Sequence, residues 1–172
     1  GQTFPSRRSP PLGIVSAEIY DPSTGRWSLT APMSEQRRHH GAVLLEDGRV
    51  LVSGGLTDEF TTQRLVNEEL DYVYSIDSVE VYDPSTETWS LVGHMPDETV
   101  RFMDTRNNSP AILLELLENG KVLAIGGLGP SAALYDPTLG TWAPVEAATS
   151  REDKTRQWHT SALLSDGRVL YM

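Results

Sequence analysis

The sequence predicts an all-β repeat protein built from short antiparallel strands. Two patterns, each present three times in the 172 residues, support this prediction. In the first pattern an Asp-Pro turn joins a Tyr to a Trp seven residues later. Its copies run from Tyr20 to Trp27, from Tyr82 to Trp89 and from Tyr135 to Trp142. The Tyr residues lie 62 and 53 residues apart, so the loops of the repeat vary in length.

The second pattern is a hairpin in which two short apolar runs flank a turn dipeptide. The three dipeptides are Asp47-Gly48, Asn119-Gly120 and Asp166-Gly167. We expect type I′ turns here, because both central residues of that turn need positive φ, which Asp, Asn and Gly tolerate. The flanking runs are too short for helices and predict buried strands. Gly54-Gly55 and Gly126-Gly127 follow the second run in two copies and indicate backbone in tight space.

The two patterns together predict a unit of four antiparallel strands, named a, b, c and d. The dipeptide hairpin supplies strands a and b, and the Tyr-to-Trp hairpin supplies strands c and d. A weak helical periodicity occurs at Gln63–Leu70, inside the long connection between strands b and c of one unit.

These residues resemble kelch repeats, in which Gly-Gly follows strand b and a Tyr in strand c precedes a Trp in strand d. The stretches Tyr-Asp-Pro…Trp and Asp-Gly-Arg-Val-Leu-Val-x-Gly-Gly carry the resemblance, which covers about residues 15–172. It implies a β-propeller of kelch-type four-stranded antiparallel blades. It does not imply one function, because kelch propellers include both binding modules and enzymes.

The repeat boundaries predict about three blades. An N-terminal extension (1–14) precedes a c–d half blade (15–30), two full blades (40–92 and 109–145) and an a–b half blade (158–172). Closed propellers usually need about four to eight blades. Two explanations follow: two chains form a symmetric six-bladed homodimer, or the chain is a piece of a longer propeller completed by a complementary fragment.

Composition excludes several classes of function. The formal net charge of −10 argues against a nucleic-acid partner, because phosphate binding needs clustered Lys and Arg. The absence of Cys excludes disulfides, thiolate metal sites and a Cys nucleophile. No apolar run approaches the roughly 18 residues of a membrane span. The resemblance to kelch propellers implies a binding scaffold, for which we expect a protein or carbohydrate ligand.

Strand alternation places the long b–c and d–a connections on one face, which we call the loop face. Segment 56–78 of this face carries six acidic residues against Arg64, a net charge of −5. It is either a solvated surface insertion or a lid, partner-docking arm or cation-binding loop. Its carboxylate spacing matches no calcium-loop pattern.

Arginine and histidine recur just before strand a. Arg37…His40 and Arg156…His159 share one spacing, and Arg106 precedes Ser109 in the middle blade. Either these Arg residues pair with acidic loop residues between blades, or they bind a carboxylate or sugar acid near the central channel. Trp158 is the best candidate for stacking on a ligand, whereas the Trp of each repeat is expected in the core. The predicted ligand-binding residues are Arg38, Arg106, Arg156, Trp158, His40 and His159.

The sequence predicts no catalytic residue, metal or cofactor. No Gly-x-Ser-x-Gly elbow or phosphate-binding loop is present. Resemblance to the galactose oxidase type of kelch propeller implies a copper site with a Tyr cross-linked to a Cys, which this Cys-free chain does not supply. A two-histidine site from His40 and His159 and a role for each His in structural hydrogen bonds are both open. An oxidase-related or sugar-isomerising enzyme completed by further blades is the alternative to a binding scaffold.

Overall fold

A computed structural model describes residues 14–57, 62–66, 69–73, 76–96, 112–126, 131–145 and 160–172. Every regular element of these residues is a β-strand. The strands are β1 (Glu18–Asp21), β2 (Arg26–Leu29), β3 (Gly41–Leu44), β4 (Val50–Ser53), β5 (Thr62–Val66), β6 (Glu69–Val73), β7 (Ser78–Asp83), β8 (Thr88–His94), β9 (Leu113–Leu116), β10 (Val122–Gly126), β11 (Ser131–Asp136), β12 (Thr141–Val145), β13 (Ser161–Leu163) and β14 (Val169–Tyr171).

Two sheets have four strands, and both follow the predicted order a, b, c, d. They contain β3-β4-β7-β8 and β9-β10-β11-β12, and each strand is antiparallel to its neighbour. The pair β1-β2 has the position of strands c and d, and the pair β13-β14 has that of strands a and b. This arrangement confirms the all-β fold with four-stranded antiparallel blades.

The c–d hairpins are held by the Asp that begins each turn. In the first copy one carboxylate oxygen of Asp21 accepts hydrogen bonds from the Ser23 backbone N–H (2.8 Å) and hydroxyl (2.7 Å). The Gly25 N–H then closes the turn on the Asp21 carbonyl. This register sets Tyr20 opposite Trp27, with ring centroids 5.1 Å apart. The other two Tyr–Trp pairs have the same geometry, at 5.2 and 5.0 Å.

The a–b turns differ from the predicted type I′ turn. In the first copy only Gly48 has a positive φ (84°). The Gly48 N–H donates to the Leu45 carbonyl, and the Leu45 N–H donates to the Arg49 carbonyl. This is a three-residue loop in which one glycine takes the left-handed conformation. The Asp47 carboxylate accepts the Arg49 N–H at 3.1 Å, which removes the need for a second positive φ.

The weak helical periodicity at 63–70 does not correspond to a helix. Strands β5 and β6 form a two-stranded antiparallel hairpin there, with Thr62 opposite Val73 and Val66 opposite Glu69. Helix formers dominate residues 63–70, so cross-strand pairing overrides the local preference of this segment.

The main hydrophobic core lies between the two complete blades. It joins Leu51, Val79 and Val81 of one sheet to Leu114 and Val122 of the next. The strand a elements lie next to one another, because β9 contacts both β3 and β13. A Cβ at Gly41 would lie only 2.6 Å from the Ile112 carbonyl, so neighbouring a strands approach at the limit that glycine allows.

The Trp residues of the repeat do not all belong to this core. Trp142 packs against it, and Trp89 Nε1 donates to Thr30 Oγ1 of the preceding half blade at 3.4 Å. Trp27 is exposed, which corrects the prediction for that copy. Trp89 contacts the blade that precedes its own. No described residues precede Ile14, so the described structure contains no preceding blade against which Trp27 could pack.

Candidate functional site

A polar cluster centred on the buried side chains of Arg37 and Glu80 lies on the loop-face side of the first complete blade. It consists of Arg37 and Glu80 with Ser34, Glu35 and Ser78, and we call it the Arg37 cluster. Arg37 belongs to the d–a connection before β3, whereas Ser78 and Glu80 belong to β7. The cluster therefore connects the segment that arrives from one blade to strand c of the next.

The side chain of Arg37 makes four hydrogen bonds, and none of its surface reaches solvent. Its Nη2 donates to Glu80 Oε1 at 2.6 Å and to Ser78 Oγ at 2.8 Å. Its Nη1 donates to the carbonyls of Gly54 at 2.9 Å and Ser78 at 3.3 Å. Ser78 Oγ in turn donates to Glu35 Oε2 at 2.6 Å. The backbone N–H of Arg37 donates to the Ile14 carbonyl, which extends the connection to the preceding half blade.

Glu80 is ionised although its side chain is fully buried. Burial by itself raises the pKa of a carboxyl group, but hydrogen bonds from Ser34 and Arg37 outweigh it and lower the pKa of Glu80. The Ser34 N–H donates to Oε2 at 2.7 Å, while Arg37 holds Oε1. Each oxygen of this buried carboxylate already accepts a hydrogen bond, so the group stabilises the fold and offers no free oxygen to a ligand.

Two of the predicted ligand-binding residues, Arg38 and His40, lie within the described part of the chain. The backbone of Arg38 exchanges hydrogen bonds with Leu56 at 2.9 and 2.8 Å, and its side chain is partly buried. The other four, Arg106, Arg156, Trp158 and His159, lie outside the described residues. Their roles remain predictions.

His40 keeps much of its surface open to solvent at the start of β3. Partial burial of its ring lowers the pKa of His40, and the positive charge of Arg37 adds to this effect. The neutral imidazole is therefore favoured near pH 7. Neutral His40 has one hydrogen-bond donor and one acceptor to offer to a ligand.

The hairpin register changes the alignment of the middle blade. Each a–b turn begins at a leucine that accepts the turn hydrogen bond, namely Leu45, Leu117 or Leu164. Counting five residues back from these positions gives His40, Ile112 and His159. Ile112, not Ser109, thus corresponds to His40, and its side chain is buried in the core. By the same count Arg106 lies eleven residues before Leu117, three more than Arg37 lies before Leu45; Arg106 is outside the described residues, so its role stays a prediction.

By the same count Arg37 and Arg156 occupy equivalent positions, eight residues before the turn leucine. Ser109 occupies this position in the middle blade. Sequence reasoning had selected Arg38 and missed Arg37 and Glu80 as a pair. The signal was present: Glu80 stands two residues before the Tyr of its repeat. An acid at that position of strand c is the natural partner of the buried arginine.

The acidic insertion of the loop face has an anchored base. We call residues 58–75 the acidic hairpin, and β5 and β6 form its described strands. On one side of its base the Arg38–Leu56 bridge holds the chain, and on the other the Ile76 N–H donates to the Gly55 carbonyl at 2.9 Å. Gly55 is required there, because a Cβ would lie 2.6 Å from the Arg38 carbonyl oxygen.

A second polar pair lies beside this base. Asp77 Oδ1 is 3.1 Å from His94 Nδ1, and both side chains are about half exposed. The Met95 N–H donates to the Asp77 carbonyl at 2.7 Å. The loop face near the acidic hairpin therefore offers Asp77, His94 and His40 as accessible polar groups.

We searched the described residues for metal-binding clusters and for membrane-spanning helices. No group of three His, Cys, Asp or Glu side chains among them is placed to hold a metal ion. No helix in this part of the chain has the length and apolar composition that crossing a bilayer requires.

Part of this chain is similar to a known repeat motif. The Kelch motif matches residues 37–96. Kelch-like protein 23 from Mus musculus is 36% identical over 83 residues, which cover 46% of this chain and 12% of that protein. Kelch-like protein 21 from Danio rerio is 37% identical over 85 residues, which cover 49% and 12%. The chain matches only about an eighth of the length of these curated relatives.

A solved structure shares the fold. Its title is "Novel fungal alcohol oxidase with catalytic diversity among the AA5 family, in complex with copper", and it matches 81% of this chain and 27% of its own with a TM-score of 0.58. At 20% identity this similarity shows the fold alone. The copper belongs to that oxidase: the present sequence lacks a Cys for a Tyr–Cys cross-link, and its described residues do not fit such a centre.

Proposed function

We propose that this chain, which is built from kelch repeats and folds as blades of a β-propeller, is a scaffold that binds a protein through its loop face. The observation that carries the proposal is the acidic hairpin. It interrupts an otherwise regular blade between strands b and c, and it carries a net charge of −4 out of −10 for the chain. Loops presented by a rigid sheet scaffold are the usual location of recognition residues.

The backbone of the hairpin supports recognition of an extended peptide. Strands β5 and β6 pair only with each other among the described strands. Within the described residues each strand thus has an outer edge whose N–H and C=O groups have no strand partner. An extended segment of a partner can add to such an edge as a further strand.

The charge of the hairpin supports a basic partner. Glu69 and Asp71 lie on β6, Glu68 precedes it, and one arginine, Arg64, lies opposite Asp71. Electrostatic complementarity speeds association and discriminates between partners, and salt weakens it. We therefore infer a partner segment that is extended and rich in Lys or Arg.

The experiment uses a phage-displayed random peptide library as probe, panned against the 172-residue chain at low salt. We expect enrichment of basic peptides. Their affinity should fall at least about tenfold when Glu68→Gln, Glu69→Gln and Asp71→Asn are combined, because the attractive charge is lost. The matched control combines Glu46→Gln, Glu87→Gln and Glu118→Gln, three exposed acids of the tight turns, and should change affinity less than about twofold.

Two results contradict the proposal. One is enrichment of peptides whose affinity does not respond to the hairpin substitutions. The other is failure to enrich any peptide while the same protein binds oligosaccharides on a glycan array, which would favour the carbohydrate ligand.

A further inference from the structure

One of the three a–b turns differs from the other two by a side-chain amide. Asp47-Gly48 and Asp166-Gly167 form the turns of the first complete blade and the half blade, whereas Asn119-Gly120 forms the middle turn. These turns lie on the face opposite the loop face, so their chemistry goes beyond the proposed binding function. Asn119 is exposed to solvent, and it is the only asparagine of the sequence that is followed by glycine.

An asparagine followed by glycine is open to attack by its own main chain. The Gly120 amide nitrogen, once it has lost its proton to solvent, attacks Cγ of Asn119. A C–N bond forms, and Nδ2 takes up a proton and leaves as ammonia, so that a succinimide ring closes. Water then adds to one of the ring carbonyls and opens the ring to aspartate or isoaspartate, and no oxidant or reductant is consumed. Glycine favours ring closure, because it has no side chain to hinder its nitrogen.

The Asn119 side chain is held at its oxygen and not at its nitrogen. Its Oδ1 accepts the Lys121 backbone N–H at 3.1 Å, and its Nδ2 has no hydrogen-bond partner among the described residues. In the first blade Asp47 uses both oxygens, since Oδ1 accepts the Arg49 N–H at 3.1 Å and Oδ2 accepts Arg49 Nε at 2.8 Å. An amide nitrogen cannot accept such a bond, and Lys121 Nζ instead lies 3.1 Å from Asp136 Oδ2. The group that would leave as ammonia is therefore not restrained by hydrogen bonds within the described structure.

We propose that Asn119 undergoes spontaneous deamidation and that the turn accepts the aspartate product in its present geometry. Each counterpart turn already contains an aspartate whose Oδ1 accepts the backbone N–H two residues later at 3.1 Å, and Asn119 makes the same bond. The glycines that follow also agree, with φ of 84°, 75° and 80° in chain order. A carboxylate at position 119 would therefore reproduce the turn that the other two copies form.

The negative charge that deamidation adds also has a precedent in this chain. A Cβ on Gly120 would lie 3.1 Å from Glu46 Oε2, so the new carboxylate would form beside the glutamate of the preceding turn. A Cβ on Gly167 would lie 3.2 Å from Glu118 Oε2 in the same way. There Asp166 already coexists with the neighbouring glutamate, so the fold tolerates this pair of acids.

Isoaspartate should not fit the same turn. It inserts an extra main-chain CH2 between positions 119 and 120, within a loop that two backbone hydrogen bonds close. The Leu117 N–H donates to the Lys121 carbonyl at 2.8 Å, and the Gly120 N–H donates to the Leu117 carbonyl at 2.9 Å. Because loop length fixes the register of a hairpin, the longer main chain should disturb the pairing of β9 with β10.

The bond from Gly120 to Leu117 also sets the rate of the reaction. It holds the attacking nitrogen and must open before the ring can close. The loss of one such hydrogen bond should make deamidation about fivefold slower in the folded chain than in a peptide of residues 113–125. An isolated hairpin of this length is at best marginally stable in water, so the peptide serves as the unfolded reference.

The first test follows the 172-residue chain during incubation at neutral pH and body temperature. Peptide mapping by mass spectrometry detects the small mass gain that replacement of NH2 by OH produces. We expect Asn119 to convert before Asn67, Asn107 and Asn108, at a rate that rises with pH because the attacking nitrogen must lose a proton. A folded chain that keeps Asn119 intact while the peptide converts completely, or that converts another asparagine first, would overturn the proposal.

The second test compares variants of position 119. Asn119→Asp, which is the product, should unfold within about 2 °C of the wild-type chain because the turn keeps its hydrogen bonds. Asn119→Gln is the matched control: it keeps an amide, but its longer side chain disfavours ring closure, so position 119 should show no mass gain. A large thermal loss for Asn119→Asp would show that the turn does not accept the product. An equal mass gain in Asn119→Gln would assign the reaction to another residue.

The third test separates the two products. Isoaspartyl methyltransferase labels isoaspartate in the incubated chain and leaves aspartate unlabelled. We expect the label to be depleted from the protein that stays folded after limited heating, whereas aspartate at position 119 should remain in it. Equal amounts of label in the folded and unfolded fractions would show that the turn accepts both products and would contradict the assigned geometry.

Discussion

Glu80 Oε1 lies 2.6 Å from Arg37 Nη2, and neither side chain reaches solvent. This ion pair joins the d–a connection to strand c, so it positions the loop face relative to the sheet beneath it. It also explains why the arginine that recurs before strand a is not a ligand contact in this blade. The Arg37 guanidinium already donates hydrogen bonds to the Glu80 carboxylate and to the backbone carbonyls of Gly54 and Ser78.

Removal of the Glu80 carboxylate should destabilise the folded chain. In Glu80→Gln the charge of Arg37 loses its nearest counter-ion and keeps only the half-exposed Glu35 carboxylate at 3.9 Å. We expect the free energy of unfolding to fall by about 3 to 5 kcal/mol. Urea denaturation followed by Trp fluorescence measures this change. Glu87→Gln, at an exposed turn position, should change stability by less than about 0.5 kcal/mol. Equal stability of the two variants would show that the pair does not support the blade.

The same pair should contribute to the pH dependence of stability. The pKa of Glu80 is lower in the folded chain than its ordinary value of 4.5. Its stabilising contribution is therefore complete above about pH 4.5 and is lost as the pH falls through the folded-state pKa. The stability difference between the wild-type chain and Glu80→Gln should narrow below pH 4.5. A difference that stays constant down to pH 3 would show that Glu80 has an ordinary pKa.

Replacing Gly55, at the base of the acidic hairpin, should reduce the stability of the fold more than replacing Gly48, which lies in an open turn. Gly55 has φ of 98° and Gly48 has φ of 84°, so alanine is strained by about 1 to 2 kcal/mol at either position. A Cβ at Gly55 would also meet the Arg38 carbonyl at 2.6 Å, whereas a Cβ at Gly48 meets nothing within 4 Å. Thermal denaturation should therefore show a clearly larger loss for Gly55→Ala, and a larger loss for Gly48→Ala would contradict this packing.

The tyrosines of the repeat should differ in importance because their burial differs. Tyr82→Ala removes a buried ring and should cost about 3 to 5 kcal/mol. Tyr20→Ala removes a half-exposed ring whose aromatic contact is Trp27, and should cost about 1 kcal/mol. Chemical denaturation of both variants makes the comparison. Similar losses would indicate that Tyr20 is buried within a single chain.

Much of the fold followed from local patterns. The Tyr-Asp-Pro…Trp and Asp-Gly patterns predicted the strands, their antiparallel order and the Gly54-Gly55 passage, because turn chemistry acts within a few residues. The type I′ turn and the periodicity at 63–70 were wrong for a related reason. Whether Asp47 needs a positive φ, or whether 63–70 pairs as a hairpin, depends on hydrogen bonds that composition alone does not specify.

The sequence by itself determined that this chain forms four-stranded blades, since the spacing from turn to turn sets both strand length and register. The tertiary structure alone decided which of two adjacent arginines is buried. Arg37 and Arg38 follow one another in the chain, but only Arg37 meets a carboxylate from a strand 43 residues later. Burial of a charge depends on a partner brought by folding, so no local pattern could have distinguished the two residues.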